Sequence, residues 1–236
     1  METGDFSKLF PLFDTGSAEA LGGMLGVAWQ NEYPANRAIL IEDAWGNAVY
    51  FILEGWVKVR RLGSNQTEHT LAILGPGDFF GEMAILDEAP RSTDVVALTR
   101  AEIMAVPSQK FTQVLLREPK LNYRMLQLMA QRLRQTNSRI EAMTYPPAVK
   151  LANVLVGLGQ RYGQPSGGMT ATLCNVPAKD LADIASIGTE EAEKLMERFA
   201  AKGWLKVDPQ AQTLNILNLS QLRQLIEQQI LAAGHG

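Results

Sequence analysis

Between residues 77 and 93 the chain reads Gly77-Asp78-Phe79-Phe80-Gly81-Glu82-Met83-Ala84-Ile85-Leu86-Asp87-Glu88-Ala89-Pro90-Arg91-Ser92-Thr93. These residue types suit the binding of an anion. The planar guanidinium of Arg91 matches the splayed oxygens of a phosphate with paired, charge-assisted hydrogen bonds. Ser92 and Thr93 follow it with hydroxyls. Backbone N–H groups exposed in the short turn Gly81-Glu82-Met83-Ala84 add a local anion nest. The Glu82 carboxylate accepts hydrogen bonds and so suits a sugar hydroxyl. A plainer alternative is a surface ion pair between Glu82 and Arg91, a contact worth little.

Other chemistry is sparse. Cys174 is the one cysteine, which excludes a disulfide within the chain and a cysteine-ligated cluster within one chain. The histidines are His69 and His235, too few and too isolated for a metal site of clustered ligands. His69 is expected to decorate a strand. No nucleophile–base–orienter set stands out, so an enzyme is the least expected class and no covalent cofactor is expected. The start, Met1-Glu2-Thr3-Gly4-Asp5, lacks the basic-then-apolar pattern of a secretory signal. No segment has the roughly 18 uncharged apolar residues of a membrane helix. The expectation is a cytoplasmic protein without a membrane partner.

The anion-binding run must be positioned by neighbouring elements. From Arg37 to Val106 short strands alternate with turns. Strands are expected at 48–53, 56–60, 70–74 and 101–106, with turns at Glu54-Gly55, Gly63-Ser64-Asn65 and Gly75-Pro76-Gly77. Many short strands with regular turns mean a sandwich or jelly roll. Gly55, Gly75 and Gly77 are expected to supply backbone angles that other residues resist. After Pro107 the period changes. Residues 108–117 read as a short helix capped by Ser108. A long helix over 121–143 follows. Its Leu126, Met129, Leu133, Thr136, Ile140 and Met143 are spaced three, four, three, four, three, which is a heptad seam. A helix packed on its own barrel is one reading. A parallel homodimer through the 121–143 helix is favoured by so narrow a stripe. Thr136 is the polar exception, and it needs either a register role or a ligand.

Tyr145-Pro146-Pro147 stops the long helix. Beyond it, helices are expected at 148–162, 177–184, 189–202 and 220–231, with a loop at 163–168. Gly188 marks a turn, Gly203 sits where a C-terminal glycine cap belongs, and 204–207 with 213–216 flank a hairpin turn at Asp208-Pro209-Gln210. Helix, turn, helix and hairpin is the winged-helix order. The expected domains are 1–118, 119–145 and 146–236.

The 77–93 run resembles the phosphate-binding cassette of the cyclic-nucleotide-binding domain. With Tyr50-Phe51-Ile52-Leu53-Glu54-Gly55 and the later elements, the chain is similar over residues 20–218 to the cyclic-AMP receptor protein/FNR (CRP/FNR) family. That resemblance implies an α+β architecture: an N-terminal jelly-roll β-barrel that binds a cyclic nucleotide, a long dimerisation helix and a C-terminal winged helix-turn-helix. By resemblance Arg91 holds the phosphate, Ser92 adds a hydroxyl, and Glu82 with the Gly81 backbone holds the ribose. The segment Met129-Ala130-Gln131-Arg132-Leu133-Arg134-Gln135-Thr136-Asn137 is similar to the family's dimer helix without a gap. It implies that Arg132 salt-bridges Glu82 and that Thr136 and Asn137 contact the base, one from each subunit. The family has a hydroxyl at the second of these positions. Asn137 keeps hydrogen-bonding capacity in a different shape. Cyclic AMP is the first ligand implied. Cyclic GMP or a cyclic dinucleotide such as c-di-GMP stays open, since Arg60-Arg61 and Arg132, Arg134 and Arg139 offer more positive charge.

The far end is less conventional. Val176-Pro177-Ala178-Lys179-Asp180-Leu181-Ala182-Asp183-Ile184 is similar to the family's first helix of the motif. Where the family's second helix brings Arg, Glu and Arg to base edges, this chain has Thr189, Glu190 and Lys194. From Thr189 to Glu197 there are four acids and one base. Residues 145–236 carry 8 Lys+Arg against 8 Asp+Glu, and residues 1–144 carry 14 against 17. A DNA-binding domain usually concentrates positive charge. Lys179, Arg198, Lys202 and Lys206 are the cations available for phosphate contacts. The architecture favours a ligand-controlled regulator that binds DNA. The acidic helix keeps open an adaptor that signals through a protein partner by its winged helix.

Overall fold

The computed structural model describes residues 2–163 and 170–233, with side chains described as far as residue 229. His235 and most of the expected 163–168 loop lie outside the described residues. The chain packs as two units, Met1–Arg134 and Gln135–Gly236.

The first unit opens with helix α1 (Thr3–Leu9), a 3-10 turn (Pro11–Phe13) and helix α2 (Ala18–Leu25). Strands β1 (Trp29–Tyr33), β2 (Ala38–Leu40), β3 (Ala48–Glu54), β4 (Val57–Leu62), β5 (Glu68–Leu74) and β6 (Phe79–Phe80) follow. A one-turn helix α3 (Met83–Leu86) leads to β7 (Asp94–Ala97) and β8 (Ala101–Pro107). Helices α4 (Ser108–Arg117) and α5 (Pro119–Ala142) end the series, with α5 running on into the second unit. The strands form two antiparallel four-stranded sheets, ordered β1-β8-β3-β6 and β2-β7-β4-β5.

The unbroken apolar run of β3 has a simple cause. Successive side chains of a strand point to opposite faces, and both faces of β3 are covered. Val49, Phe51 and Leu53 pack with α1, α2, α4 and the start of α5. Tyr50 and Ile52 pack with Leu40, Val57, Phe80 and Val95, residues from both sheets. In β8, Met104 and Val106 join the helical side, and Ala101 and Ile103 the inner side. The helical side is aromatic. Phe6, Phe10 and Phe13 surround Phe51 with ring centroids 5.5, 5.2 and 5.6 Å away, and all four side chains are fully buried. The N-terminal helices therefore belong to the core, which the pattern of strands alone does not reveal. Strands β1, β2 and β7 were equally hidden. β1 is mostly exposed and β2 has three residues.

Several local expectations need correction. Ser108 is the first residue of α4, not its cap. Pro107 occupies the cap position and no side chain caps this end, while the Ser108 N–H donates to Asn47 O at 2.7 Å. Gly55 and Gly77 do adopt positive φ, +80° and +87°. Gly75 does not, and it is needed for a different reason: a Cβ there would stand 2.7 Å from the Trp56 ring.

The second unit holds α6 (Pro147–Tyr162), β9 (Ala171–Cys174), α7 (Ala178–Ala185), α8 (Thr189–Ala201), β10 (Leu205–Asp208), β11 (Thr213–Ile216) and α9 (Leu219–Ala233). The hairpin β10–β11 gains β9 as a third antiparallel strand, which the sequence reading missed. Asp208 closes the hairpin by accepting from the N–H groups of Gln210 and Ala211, each at 3.0 Å. The turn between α7 and α8 bends at Ser186, with φ +53°, not at Gly188, which has ordinary extended angles. Gly203 has φ +71° and ends α8 as expected. Cys174 is buried. Desolvation, with the nearby Asp180 charge, pushes its thiol up to about 12, so it stays protonated at neutral pH.

Phe51→Ala is expected to lower the unfolding free energy by about 3–5 kcal/mol, the range for deleting a buried ring. Trp45→Ala, at an exposed position, is expected to change it by less than about 0.5 kcal/mol. Urea unfolding curves of the two variants measure both.

Candidate functional site

The first unit assembles the 77–93 run around two buried charges. Residues 79–80 are strand, Gly81 turns with φ +80°, and Glu82 leads into α3. Glu82 is only 2% exposed. Its carboxylate is ion-paired with the Arg132 guanidinium, which reaches it from α5. Arg132 also donates to Phe79 O at 2.9 Å and lies over the Phe79 ring, 4.7 Å from its centroid. The Glu82–Arg132 pair implied by the resemblance is present. The surface pair between Glu82 and Arg91 is not: both residues are buried, and Glu82 is bonded to Arg132.

Arg91 is 4% exposed. Its main chain pairs with the segment before β3: Asp43 N–H donates to Arg91 O and Arg91 N–H to Ala44 O, both at 2.9 Å. Its side chain donates to Ala48 O at 2.8 Å and to Gly81 O. The guanidinium carbon lies 5.8 Å from the centre of the Tyr50 ring, which stacks on Phe80. Desolvation pushes the guanidinium below its ordinary range, opposed by Tyr50 and by Glu82. Burial in turn raises Tyr50. Nε is buried and has no hydrogen-bond partner. An arginine has five N–H donors, so this one keeps donors beyond those used by the two carbonyls. Orphaned buried donors are rare and call for an explanation. A charged ligand with several acceptor oxygens supplies one.

Of the other expected ligand contacts, Met83 and Ser92 are exposed, Thr93 is half-buried and Ala84 is buried. Thr136 and Asn137 are exposed, four and five residues beyond Arg132 on α5. The seam on that helix is mixed. Met129 packs into the core of the first unit, whereas Leu126 (62%), Leu133 (62%) and Ile140 (57%) are open to solvent. Arg60 is engaged with Glu68 and Asp94, and Arg61 with Glu42. In the second unit Lys179 pairs with Asp183 at 2.9 Å. Thr189, Glu190, Lys194 and Arg198 all lie exposed on α8, and the Lys202 ammonium sits 4.6 Å from the centre of the Trp204 ring. Sequence reasoning missed the carbonyls of Ala48, Gly81 and Phe79 that hold the two arginines. Main-chain acceptors leave no trace in residue type.

Residues 30–118 match the family model of the cyclic nucleotide-binding domain. The chain is 28% identical over 200 residues to the cyclic AMP receptor protein of Thermus thermophilus, covering 84% of this chain and 89% of that protein. It is 26% identical over 178 residues to a CRP-like cAMP-activated global transcriptional regulator of Mycobacterium tuberculosis, covering 75% and 80%. The chain thus matches a cyclic nucleotide-binding domain in its first unit and is similar to CRP-like regulators over most of its length. A solved CRP/FNR-family transcriptional regulator from T. thermophilus shares the fold, with a TM-score of 0.63 at 23% identity over 85% of this chain and all of that one. The relative from M. tuberculosis is named as a cAMP-activated transcriptional regulator, and the match to the cyclic nucleotide-binding domain falls within the first unit of this chain. Among the described residues no group of His, Cys, Asp and Glu could hold a metal ion, and no helix is long and apolar enough to cross a membrane.

Arg132→Ala leaves the Glu82 carboxylate buried without its partner. Breaking a buried pair costs roughly 3–5 kcal/mol. Arg132 is itself about a third exposed, so the low end, about 3 kcal/mol, is expected. Adding Glu82→Gln should return part of that loss, and urea unfolding of the single and double variants reads it.

Proposed function

We propose that the protein is a homodimeric transcription regulator whose effector is a cyclic nucleotide, cyclic AMP first. The observation that carries this reading is the buried Arg91 guanidinium, which keeps unused donors beside the Gly81 turn. The phosphate of the effector takes those donors and the first-turn N–H groups at Met83 and Ala84. Ser92 and Thr93 add hydroxyls, and Glu82 receives the ribose 2′-hydroxyl. Thr136 and Asn137 read the base, one from each subunit across the α5 seam. The exposed Leu126, Leu133, Ile140 and Met143 support a second copy of the helix as the seam's partner, because a parallel coiled coil buries such a row. The relatives from T. thermophilus and M. tuberculosis, named for cyclic AMP, support the choice of ligand. The ligand must bind two states of the dimer unequally to have any effect. Helix α5 runs from the sensing unit into the second unit, and the Tyr145-Pro146-Pro147 hinge after it passes on the difference. Arg91→Ala is expected to abolish nucleotide binding in calorimetry, and unchanged affinity would refute the site.

The effector-loaded dimer then presents α8 to DNA. On this helix Lys194 and Arg198 lie four residues apart and share one flank, with Lys202 at its C-cap. Glu190, Glu193 and Glu197 recur at three and four and share the neighbouring flank. The basic flank, with Lys179, suits the DNA backbone, and Thr189 and Glu190 at the start of α8 suit base edges. The acidic flank favours a second reading, in which the winged helix docks on a protein and the effector is a cyclic dinucleotide. A structural neighbour, the global regulator CLP of Xanthomonas campestris, is named as responsive to c-di-GMP; at 18% identity that likeness concerns the fold alone. Binding to duplex DNA across a salt series separates the readings. Direct DNA reading predicts an affinity that falls steeply as salt rises, because phosphate contacts release counterions. Absence of binding even at low salt supports the adaptor.

A further inference from the structure

The seat of Arg91 has a wall that no residue type announces. Two glycines enclose the guanidinium. Gly81 stands on one side, where a Cβ would lie 2.7 Å from Nη1. Gly46 stands on another, where a Cβ would fall under 3.0 Å from Nη2, Cζ and Nε alike. Real Cβ atoms do not approach other atoms so closely. The obstruction at Gly46 is not the loose end of a flexible chain, because the guanidinium is anchored to two carbonyls and buried. Backbone conformation does not explain the glycine: Gly46 is absent from the positive-φ residues. What the position lacks is room.

The segment carrying Gly46 is fixed at both ends. Asp43 and Ala44 exchange main-chain hydrogen bonds with Arg91 itself. Asn47 O accepts from Ser108 N–H at the start of α4, and Ala48, at the start of β3, supplies the carbonyl that holds Nη2. The segment therefore cannot back away from a side chain at 46 without giving up those bonds. The guanidinium would move instead, out of its seat and away from the Gly81 turn.

We propose that Gly46 is a positioning residue for Arg91: with no side chain, it makes the space in which the guanidinium lies aligned for a phosphate. The proposal rests on the nucleotide-binding reading above and adds to it a residue outside the cassette run. It concerns placement only, since Gly46 offers the ligand no side-chain group. Its effect should pass entirely through residue 91.

The test is a cycle of Gly46→Ala, Arg91→Ala and the double variant in the full-length protein, with melting temperature and calorimetric titration of cyclic AMP and cyclic GMP as readouts. Gly46→Ala is expected to weaken binding of the nucleotide that the wild-type protein takes by about tenfold or more, a change of the size a lost charge-assisted contact gives. It is also expected to lower the melting temperature. With the guanidinium removed the methyl has space, so the double variant should melt where Arg91→Ala does. This second arm holds even if Gly46→Ala alone does not fold, and even if neither nucleotide binds the wild-type protein. Wild-type affinity in Gly46→Ala overturns the proposal. So does a double variant that melts well below Arg91→Ala, because the methyl then clashes with something other than residue 91. Failure of the wild-type protein to bind either nucleotide counts against the cyclic-mononucleotide reading and leaves the melting arm to decide the placement of Arg91.

Discussion

One buried cation organises the first unit. Placing the Arg91 guanidinium at 4% exposure takes it out of water, and an ion moved into a protein interior costs several kcal/mol unless its donors find acceptors. Ala48 O and Gly81 O meet part of that demand, and the Tyr50 ring lies beneath the charge. Both carbonyls belong to segments held elsewhere, Ala48 by pairing with Pro107 at the end of β8 and Gly81 by the turn out of β6. Nε is buried and finds no partner. A site built this way favours a compact anion with several oxygens, because such a ligand completes the hydrogen bonding that the protein leaves unfinished.

The second charged contact extends this arrangement to the long helix. Arg132 reaches from α5 to the Glu82 carboxylate and to Phe79 O, on either side of the Gly81 turn. The turn that holds Arg91 is therefore tied to α5 by an ion pair and to β3 by the arginine itself. A ligand that shifts the turn by a fraction of an ångström changes the geometry at both ties. Packed cores and ion pairs of fixed geometry respond to such shifts by switching arrangement, not by stretching. In the proposed function this links effector binding to the dimer helix.

The sequence carried some of this directly. The apolar β3 and β8 runs, the helix at 108–117 and the winged-helix order of the second unit were legible because period and turn residues report on burial and backbone angle. The charged members Glu82, Arg91 and Arg132 were legible because their types and spacing match a known pattern. What stayed hidden has physical reasons. β1 is an exposed edge strand without the alternation that marks a half-buried one. β9 has four residues and depends on pairing with β11, a contact distant in sequence. Phe6, Phe10 and Phe13 lie outside every element expected from the sequence, and it is their packing around Phe51 that makes them core. Gly46 gives no signal in residue type or turn pattern, and what sets it apart is the Arg91 guanidinium against which a Cβ would stand. Thr136 and Asn137 were named as ligand contacts by resemblance alone; both are exposed on α5.

The central claim is that the first unit's arginine seat recognises a ring-closed nucleotide phosphate. Thermal melting of the full-length protein against increasing cyclic AMP, with cyclic GMP, a cyclic dinucleotide, 5′-AMP and adenosine in parallel, tests it most directly. A ligand that binds only the folded state raises the melting point progressively with its concentration. The account predicts such a rise for a cyclic nucleotide and none for adenosine, which lacks the phosphate. A melting point unmoved by every cyclic nucleotide at millimolar concentration, or moved equally by adenosine, would contradict it.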